Sequence, residues 1–223
     1  MFLKEERILA WQKIPESSRI IFFASIIIII FLTPNLAEGY ESTWDEVNIN
    51  TNNNYNAAVI DSNGDAWVFG DNGVIIHGEK LTNWSIVNSP IVEDILTADS
   101  NENLVVAAGK NGVVIYKEIQ SNEWINIDID NQTRINSVSI NNFDEIVIVT
   151  DLGDIQIFKD NEWLQINSLT SEKLFDITFE NERGLISGSS GLILGSEDNG
   201  LTWEIRDTPE IVEESEIISI GYY

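Results

Sequence analysis

Residues 188–203 read GSSGLILGSEDNGLTW and contain the features that recur throughout the chain. A Gly-x-x-Gly pair opens the stretch, a short apolar run follows, and a turn rich in Asp, Asn and Gly leads to a tryptophan. That tryptophan belongs to a series with spacings of 40, 40, 39 and 40 residues: Trp44, Trp84, Trp124, Trp163 and Trp203. A period of about forty residues indicates a repeat protein in which each copy is one supersecondary unit.

The apolar runs between these tryptophans are typical of β-strands. They are four to six residues long, rich in Val and Ile, and bounded by Gly, Asn and Asp. No sustained helical apolar period follows Pro34. In the second copy we predict four strands with the sequences DILTA, LVVAAG, VVIYK and EWINID. Four short strands repeated at this period predict an all-β fold, a β-propeller of four-stranded blades.

The recurring glycines and tryptophans have expected places in such a blade. The glycines suit the tight turn between the second and third strands, where a positive φ or a close approach is needed. They recur as Gly70 with Gly73 and Gly109 with Gly112, and Gly153 stands alone in the third copy. Each blade tryptophan begins a fourth strand and is predicted to wedge between blades, burying roughly 150–250 Å². Sugar stacking is the alternative role, but the regular phase favours the structural one.

The repeat predicts four complete blades and a partial fifth. Trp44 begins a fourth strand with no blade before it, and residues 217–222, IISIGY, resemble a first strand with nothing after it. The two ends could pair into part of a fifth blade, whose open edges could pair with another chain. Alternatively, the chain is the N-terminal part of a longer, truncated propeller. Both alternatives stay open.

The N-terminal residues 1–37 are predicted to be a targeting segment. Residues 20–32, IIFFASIIIIIFL, form an apolar run after a basic flank, which is short for a spanning helix but suitable for a signal peptide. Cleavage after Ala37 is favoured over an uncleaved anchor, in which residues 20–33 would be the only membrane contact. In both cases the propeller domain, residues 41–223, is expected outside the cytoplasm, secreted, periplasmic or membrane-anchored.

Charge and composition exclude several classes of partner. The chain of 223 residues has a formal net charge of −25 and contains no cysteine. Such an acidic body repels phosphate backbones and anionic lipid headgroups, so nucleic acid is not an expected partner. The lack of cysteine excludes disulfides, thiolate metal sites and a cysteine nucleophile. No cofactor is expected.

The turn in the opening stretch matches the Asp-box, the bacterial neuraminidase repeat. Its residues are Ser196, Asp198, Gly200, Thr202 and Trp203. In the families that carry it, the Asp-box forms the hairpin between the third and fourth strands of a blade, where Asp accepts backbone N–H bonds and Trp packs beneath. The motif is therefore interpreted as structural, although sialidases are its best-known carriers.

Catalysis of the sialidase type is not expected. Resemblance to that family would require three arginines around a substrate carboxylate, a Tyr–Glu nucleophile pair, an Asp acid/base and an Arg-Ile-Pro element. After the targeting segment only Arg134, Arg183 and Arg206 remain, and no Arg-Ile-Pro occurs. Their places in the repeat give no reason to expect them to converge. The chain is predicted not to be an enzyme.

Two further patterns are candidates for metal-binding or catalytic sites. Asp61, Asn63 and Asp65 have the alternate-oxygen spacing of a calcium loop, but the expected glycine and the closing glutamate are missing. We interpret this stretch as a plain turn with Asx bonding and keep weak metal binding as a minor alternative. His77, the single histidine, is interpreted as a strand-end residue. Asn83 and Asn131 begin glycosylation sequons, whose use the sequence does not decide.

The repeat as a whole resembles the propellers of the photosystem II stability and assembly factor type. Residues 188–203 follow that family's G-x-x-G-x-I-x-x-S-x-D-x-G-x-T-W pattern, and the earlier blades match loosely. The resemblance implies export and a seven-bladed propeller. Photosynthetic members use a basic, arginine-rich face for a membrane-protein partner, and this acidic chain lacks such a face.

The leading functional hypothesis is an exported, non-enzymatic propeller that binds a protein or acts as an assembly scaffold. Its expected binding surface is the loop face over the central channel. One alternative is a carbohydrate-binding or sialidase-like propeller. Another is the extracellular sensor of a signalling receptor, which predicts a transmembrane helix and a cytoplasmic domain beyond Tyr223.

Overall fold

The computed structural model describes residues 46–47, 49, 51–130, 132–207 and 216–221. The predicted targeting segment 1–37, Trp44 and Asn131 lie outside the described residues. Over the described ranges, the structure contains no helix that is long and apolar enough to cross a membrane. All of the strands lie in one compact unit, Ile49–Tyr223.

The described residues form four consecutive antiparallel sheets of four strands each, which confirms the predicted all-β fold of four-stranded blades. In each sheet the strands pair in sequence order. The first blade comprises β1 (Tyr55–Ile60), β2 (Ala66–Gly70), β3 (Ile75–Gly78) and β4 (Trp84–Val87). The second comprises β5 (Ile95–Ser100), β6 (Leu104–Gly109), β7 (Val114–Glu118) and β8 (Ile125–Asn126).

The third and fourth blades repeat this order. The third comprises β9 (Ile135–Ile140), β10 (Ile146–Thr150), β11 (Ile155–Lys159) and β12 (Glu162–Ile166). The fourth comprises β13 (Leu174–Glu180), β14 (Arg183–Gly188), β15 (Ile193–Ser196) and β16 (Glu204–Ile205). Short 3₁₀ turns occupy Asp71–Gly73, Glu79–Leu81, Lys110–Gly112 and Ser189–Gly191.

The fourth strand of the second blade is shorter than the sequence predicts. EWINID was expected to form one strand, but only Ile125–Asn126 pairs regularly with β7. Beyond it, the Asp128 carboxylate accepts a hydrogen bond from the N–H of Val114 at 3.1 Å. The N–H of Val114 thus bonds to a side chain, whereas in a regular antiparallel ladder it would bond to a backbone carbonyl. The regular pairing of β8 ends at Asn126.

The core lies between the blades, because the second strands are buried on both faces. In β6 every residue is buried. Val105 and Ala107 pack in the cluster shared with the first blade, whereas Val106 and Ala108 pack in the cluster shared with the third. Side chains of a strand alternate between the two faces of its sheet. A blade between two neighbours therefore needs the continuous apolar runs seen in the sequence.

The first and second strands of three blades are joined by the same Asx turn. Asp61 Oδ1 accepts hydrogen bonds from the N–H groups of Asn63 and Asp65 at 2.9 and 3.0 Å. Asn101 and Asn141 occupy the corresponding positions of the next two blades, and each Oδ1 likewise accepts two backbone N–H bonds. A neutral amide and a carboxylate thus make the same turn.

The glycine turns lie between the second and third strands, as expected. Gly73, Gly112, Gly153 and Gly191 all have φ between 67° and 80°. Gly109 is needed for a different reason, because a Cβ there would overlap the carbonyl oxygen of Asp94. In the third blade Thr150 takes the equivalent place, and its hydroxyl accepts N–H bonds from Leu152 and Asp154.

Residues 216–221 extend the blade order past the fourth sheet. The Ser219 hydroxyl and the Ile220 N–H both donate to Asp176 Oδ2 on β13, at 2.9 and 3.0 Å. The same contact joins the inner strands of the second and third blades, where Ser139 and Ile140 donate to Asp99. Residues 216–221 therefore lie where the inner strand of a fifth blade would lie. The described blades do not close into a ring.

Candidate binding site

The two ends of each blade have distinct connections. The turns between first and second strands and between third and fourth strands lie at one end, called here the turn face. The turns between second and third strands, and the crossings to the next blade, lie at the opposite end, the crossover face. This assignment follows from the antiparallel order of the strands.

The predicted Asp-box residues form a tight, hydrogen-bonded turn on the turn face of the fourth blade. Asp198 accepts bonds from the Thr202 hydroxyl at 2.6 Å and the Thr202 N–H at 2.9 Å. The Ser196 hydroxyl donates to Asp198 and accepts from the N–H of Gly200. Trp203 is 5% exposed and donates its indole N–H to the carbonyl of Gly200 at 2.9 Å. The side chains of Ser196, Asp198, Thr202 and Trp203 are thus bonded within the turn itself.

The turn has a pH-dependent contribution to stability that can be measured. Burial pushes the pKa of Asp198 upward, but the bonds from Thr202 and Ser196 outweigh it, so the pKa lies below its ordinary value of 3.8. A lowered carboxyl pKa stabilises the fold at higher pH, and this stability is lost as pH falls through the folded pKa. We expect the melting temperature of wild type to exceed that of Asp198→Asn by a constant amount near neutral pH. That difference should shrink below pH 3.8.

Thr202→Val tests the stated cause of the shift. The variant keeps the Asp198 carboxylate but removes the hydroxyl donor at 2.6 Å. Its melting profile should move in the same direction as that of Asp198→Asn, by a smaller amount. A wild-type advantage that grows on acidification would contradict the assignment.

The calcium-like stretch is also engaged with its own surroundings. While Asp61 Oδ1 caps the turn, Asp61 Oδ2 accepts the indole N–H of Trp67 at 2.9 Å. Asp65 Oδ2 lies 2.9 Å from His77 Nε2, and Asp65 Oδ1 accepts the N–H of Lys80. Asn63 is exposed. The Asp61 carboxylate is thus bonded to N–H groups, and the Asp65 carboxylate is bonded to an N–H group and contacts the imidazole of His77.

A layered cluster joins the first and second blades beside this turn. The His77 ring stacks on Trp67 with centroids 4.3 Å apart, and Lys117 Nζ lies 4.9 Å from the Trp67 ring. Lys117 is 5% exposed, and burial lowers its pKa, although Asp61 and Asp65 partly offset that effect. No sequence pattern singles out Lys117 as a buried cation. It arises because β7 directs Lys117 toward the first blade.

Three of the blade tryptophans lie at the boundaries between blades. Trp124 contacts Trp67 and Phe69 of the preceding blade edge-on, with centroids 5.4 and 5.6 Å apart. Trp163 donates its indole N–H to the carbonyl of Ile127 in the preceding blade at 2.7 Å. Trp203 packs in the cluster between the third and fourth blades. Trp84 is half-buried against Gly78 of its own blade.

The three arginines lie at different places in the fold. Arg134 precedes β9 on the crossover face of the third blade, with its Nε donating to Asn136. Arg183 begins β14 at the turn face of the fourth blade. Arg206 follows β16 and pairs with Glu197 at 3.3 Å. Asn83 of the first sequon is exposed, with φ of 41°.

A cleft of about 1000 Å³ opens on the turn face between the second and third blades. This is large for a small-molecule site, for which roughly 300–1000 Å³ is usual. It lies between two blades rather than over the central axis, where the sequence analysis placed the binding surface. The lining residues are Glu102, Asn103, Leu104, Tyr116, Glu118, Ile119, Gln120, Phe143, Asp144, Glu145, Ile146, Phe158, Lys159, Asp160 and Asn161.

The lining of the cleft is mixed: aromatic rings lie among polar and charged side chains. Tyr116 of β7 and Phe158 of β11 face each other across the blade boundary, with ring centroids 6.3 Å apart. Both pack on the cluster that contains Leu104 and Ile146. Phe143, at the tip of the turn between β9 and β10, is 61% exposed. The exposed aromatic ring beside a partly buried pair provides an apolar surface without a described partner.

Hydrogen bonds across the two blades hold the turns that frame the cleft. Asp144 accepts bonds from the side-chain amides of Asn101 at 2.6 Å and Asn103 at 2.8 Å. On the third blade Lys159 pairs with Glu145 at 2.6 Å, and that contact raises the pKa of Lys159. The shape of the cleft is therefore fixed by bonds between second- and third-blade residues.

The sequence patterns do not predict this cleft. Tyr116, Phe143 and Phe158 carry no motif, and their apolar character is shared with core residues. One available signal was Phe143, an aromatic residue inside a polar turn, NNFDE. The contact between Tyr116 and Phe158 could not be predicted from the sequence. It depends on which face of its blade each side chain occupies, and the strand sequence alone does not give that face.

Comparisons with known proteins identify the fold. No protein-family model matches the chain, and no curated protein matches it. The chain is similar to a structure of YCF48 bound to D1 peptide, with a TM-score of 0.53 and 16% identity over 69% of this chain and 52% of that one. The chain is also similar to YCF48 from Cyanidioschyzon merolae, with a TM-score of 0.52 and 14% identity over 68% of this chain and 55% of that one. The chain thus spans about half the length of these YCF48 chains.

An enzyme is also among the similar structures. Virginiamycin B lyase from Staphylococcus aureus gives a TM-score of 0.62 and 9% identity over 72% of this chain and 58% of that one. These likenesses show that the chain has a β-propeller fold that resembles YCF48. At such low identity they show the fold alone.

Proposed function

We propose that this chain is a non-enzymatic β-propeller that binds a segment of a partner protein in the cleft between its second and third blades. The observation that carries the proposal is the cleft of about 1000 Å³ on the turn face, in which the aromatic rings of Tyr116, Phe158 and Phe143 lie among charged side chains. The ring of Phe143 is 61% exposed and offers apolar surface that a partner could cover. Aromatic residues are also the side chains most enriched in the energetic centres of protein interfaces.

Two further considerations support a binding role over an enzymatic one. A propeller of related fold, YCF48, has been seen with a D1 peptide bound, so this architecture accommodates a peptide. The three arginines that a sialidase-like site would bring together are distributed over two blades and both faces. The lyase of similar fold remains the reason to test for catalysis directly.

The proposal includes the cell compartment and the role of the Asp-box. The apolar run at 20–32 supports export, so the partner is an extracytoplasmic protein. The Asp-box serves as a structural turn, supported by the bonding of Asp198 to Thr202 within the same hairpin. We thus assign the binding of a protein partner, and any scaffold function, to the cleft and not to the Asp-box.

A displayed library of random peptides, panned against the folded protein, tests the proposal. We expect peptides to be retained by wild type and to lose roughly tenfold or more in affinity for Phe143→Ser, because an exposed aromatic anchor is removed. Leu152→Ser is the matched control, since Leu152 is 63% exposed on the crossover face, away from the cleft. Retention of no peptide, or equal binding to Phe143→Ser, would overturn the proposal.

Carbohydrate binding is a second candidate that one observation favours. Phe143 lines the cleft together with exposed carboxylates such as Glu102 and Asp160, and aromatic rings near carboxylates also suit sugar rings and their hydroxyl groups. A glycan array and a sialidase-substrate assay distinguish the candidates. A glycan signal that disappears in Phe143→Ser would establish the second candidate in place of the first.

A further inference from the structure

We propose that the cleft selects its partner by lysine or arginine side chains, so that the ligand is a basic extended segment carrying an apolar anchor. This inference rests on the proposed function, because it assumes that the cleft binds a protein segment. It adds the chemical class of that segment. The observations that carry it are the unbalanced charge of the cleft and the position of its aromatic walls.

The lining of the cleft has a large excess of negative charge. Five carboxylates and one ammonium group line it, a formal excess of four negative charges. Two of these carboxylates have partners in the wall: Glu145 pairs with Lys159, and Asp144 accepts bonds from two asparagine side chains. These groups therefore fix the geometry of the site and have less capacity for a ligand.

The remaining three carboxylates are available to a ligand. Glu102, Glu118 and Asp160 are exposed, and within the described parts of the chain no ion pair or side-chain hydrogen bond engages their carboxylates. Glu102 lies in the turn between β5 and β6, Glu118 ends β7, and Asp160 lies in the turn between β11 and β12, so both blades that frame the cleft contribute. Asp160 also interacts electrostatically with Lys159, but that one ammonium group is already paired with Glu145 and cannot balance both carboxylates. A ligand in the cleft thus meets an excess of carboxylates, which favours a cation and disfavours an anion.

The aromatic walls suit the same kind of side chain. Lysine and arginine pack their aliphatic stems on apolar surface while their charged ends reach carboxylates. A guanidinium or ammonium group is also attracted to an aromatic face, and arginine can bond a carboxylate in bidentate fashion. This chain uses that contact internally, because Lys117 and Lys173 lie 4.9 and 5.3 Å from the Trp67 and Phe175 rings.

The charge of the whole chain acts in the same direction. With a formal net charge of −25, the protein attracts cationic segments and repels anionic ones before contact. That field is screened by salt over roughly 8–10 Å at physiological ionic strength. Once a peptide is in contact with the cleft, its selection for basic side chains must therefore come from the carboxylates that line the cleft.

The test compares two triple variants of equal charge change. Glu102→Gln, Glu118→Gln and Asp160→Asn together remove the three available carboxylates while keeping side-chain shape. Asp130→Asn, Glu172→Gln and Asp207→Asn form the matched control, because all three residues are exposed and none lines the cleft. Far-UV circular dichroism and thermal melting establish that both triples are folded.

We expect the library peptides retained by wild type to be enriched in Lys and Arg. Their affinity should fall roughly 5- to 30-fold in the cleft triple, as three exposed ion pairs are lost, and less than about twofold in the control triple. Wild-type affinity should also decrease as salt is raised, and that of the cleft triple should decrease less steeply, because only the charge of the whole chain remains to be screened.

The outcomes separate this inference from the proposed function. Peptides that depend on Phe143 but show no Lys or Arg enrichment, or that bind the cleft triple as well as wild type, would overturn the charge selectivity and leave protein binding intact. Retention of no peptide would overturn both. A glycan-array signal that requires Phe143 would also overturn both, since the ligand class would then be carbohydrate.

Discussion

Replacing Trp203 by alanine is expected to lower the free energy of unfolding by about 3–5 kcal/mol, the usual cost of deleting a large buried aromatic side chain. Trp203 is 5% exposed and belongs to the cluster between the third and fourth blades. Its ring also packs edge-on against Phe179, with centroids 6.2 Å apart. The loss would therefore leave a cavity at a blade boundary. Urea unfolding followed by circular dichroism measures it.

Two phenylalanine variants separate the packing of the tryptophans from their hydrogen bonds. Trp203→Phe loses the bond from the indole N–H to Gly200 and should cost about 1 kcal/mol beyond the loss of ring volume. In Trp124 the indole N–H is buried and has no partner among the described residues. Trp124→Phe should therefore cost less than Trp203→Phe. The reverse order would contradict the assigned bonding.

Gly109→Ala is expected to destabilise the fold by about 2–3 kcal/mol, because the added methyl group must displace backbone rather than a flexible side chain. A Cβ at Gly109 would overlap the Asp94 carbonyl oxygen, and its next contact is with the Cα of Ile95 at 2.9 Å. The φ of Gly109 is −172°, so the cost is steric and not conformational. The same urea titration gives the value.

Gly221→Ala is the matched control for this prediction. The substitution is chemically identical, but a Cβ at Gly221 would meet nothing within 4 Å. Its effect should be within about 0.5 kcal/mol of zero, as for other surface substitutions. Equal destabilisation by the two variants would show that close backbone approach at Gly109 is not the cause.

The repeat and its strand order could be predicted from sequence because local chemistry determines them. The 40-residue spacing of the tryptophans and the Val- and Ile-rich runs placed four strands in each copy, and the four sheets confirm this prediction. Turn chemistry was equally local. Gly112 has a φ of 73° in the turn between β6 and β7, where the sequence required a residue that tolerates such a backbone.

The candidate site could not be predicted because it depends on how one blade faces the next. Alternation along β7 sends Tyr116 toward the third blade and Lys117 toward the first. A shift of one residue in that register would exchange the two side chains. The sequence contains both residues, but it does not state which face of the blade each one occupies.

The sequence by itself therefore determined the secondary structure, the repeat length and the charge of this protein, since each depends on neighbouring residues or on simple composition. Only the tertiary structure decided that Tyr116, Phe158 and Phe143 line one cleft at a blade boundary, together with an excess of carboxylates. It also decided that Ser219 bonds to Asp176 as Ser139 bonds to Asp99. Such contacts join residues about forty positions apart, and their geometry is set by the packing of whole blades.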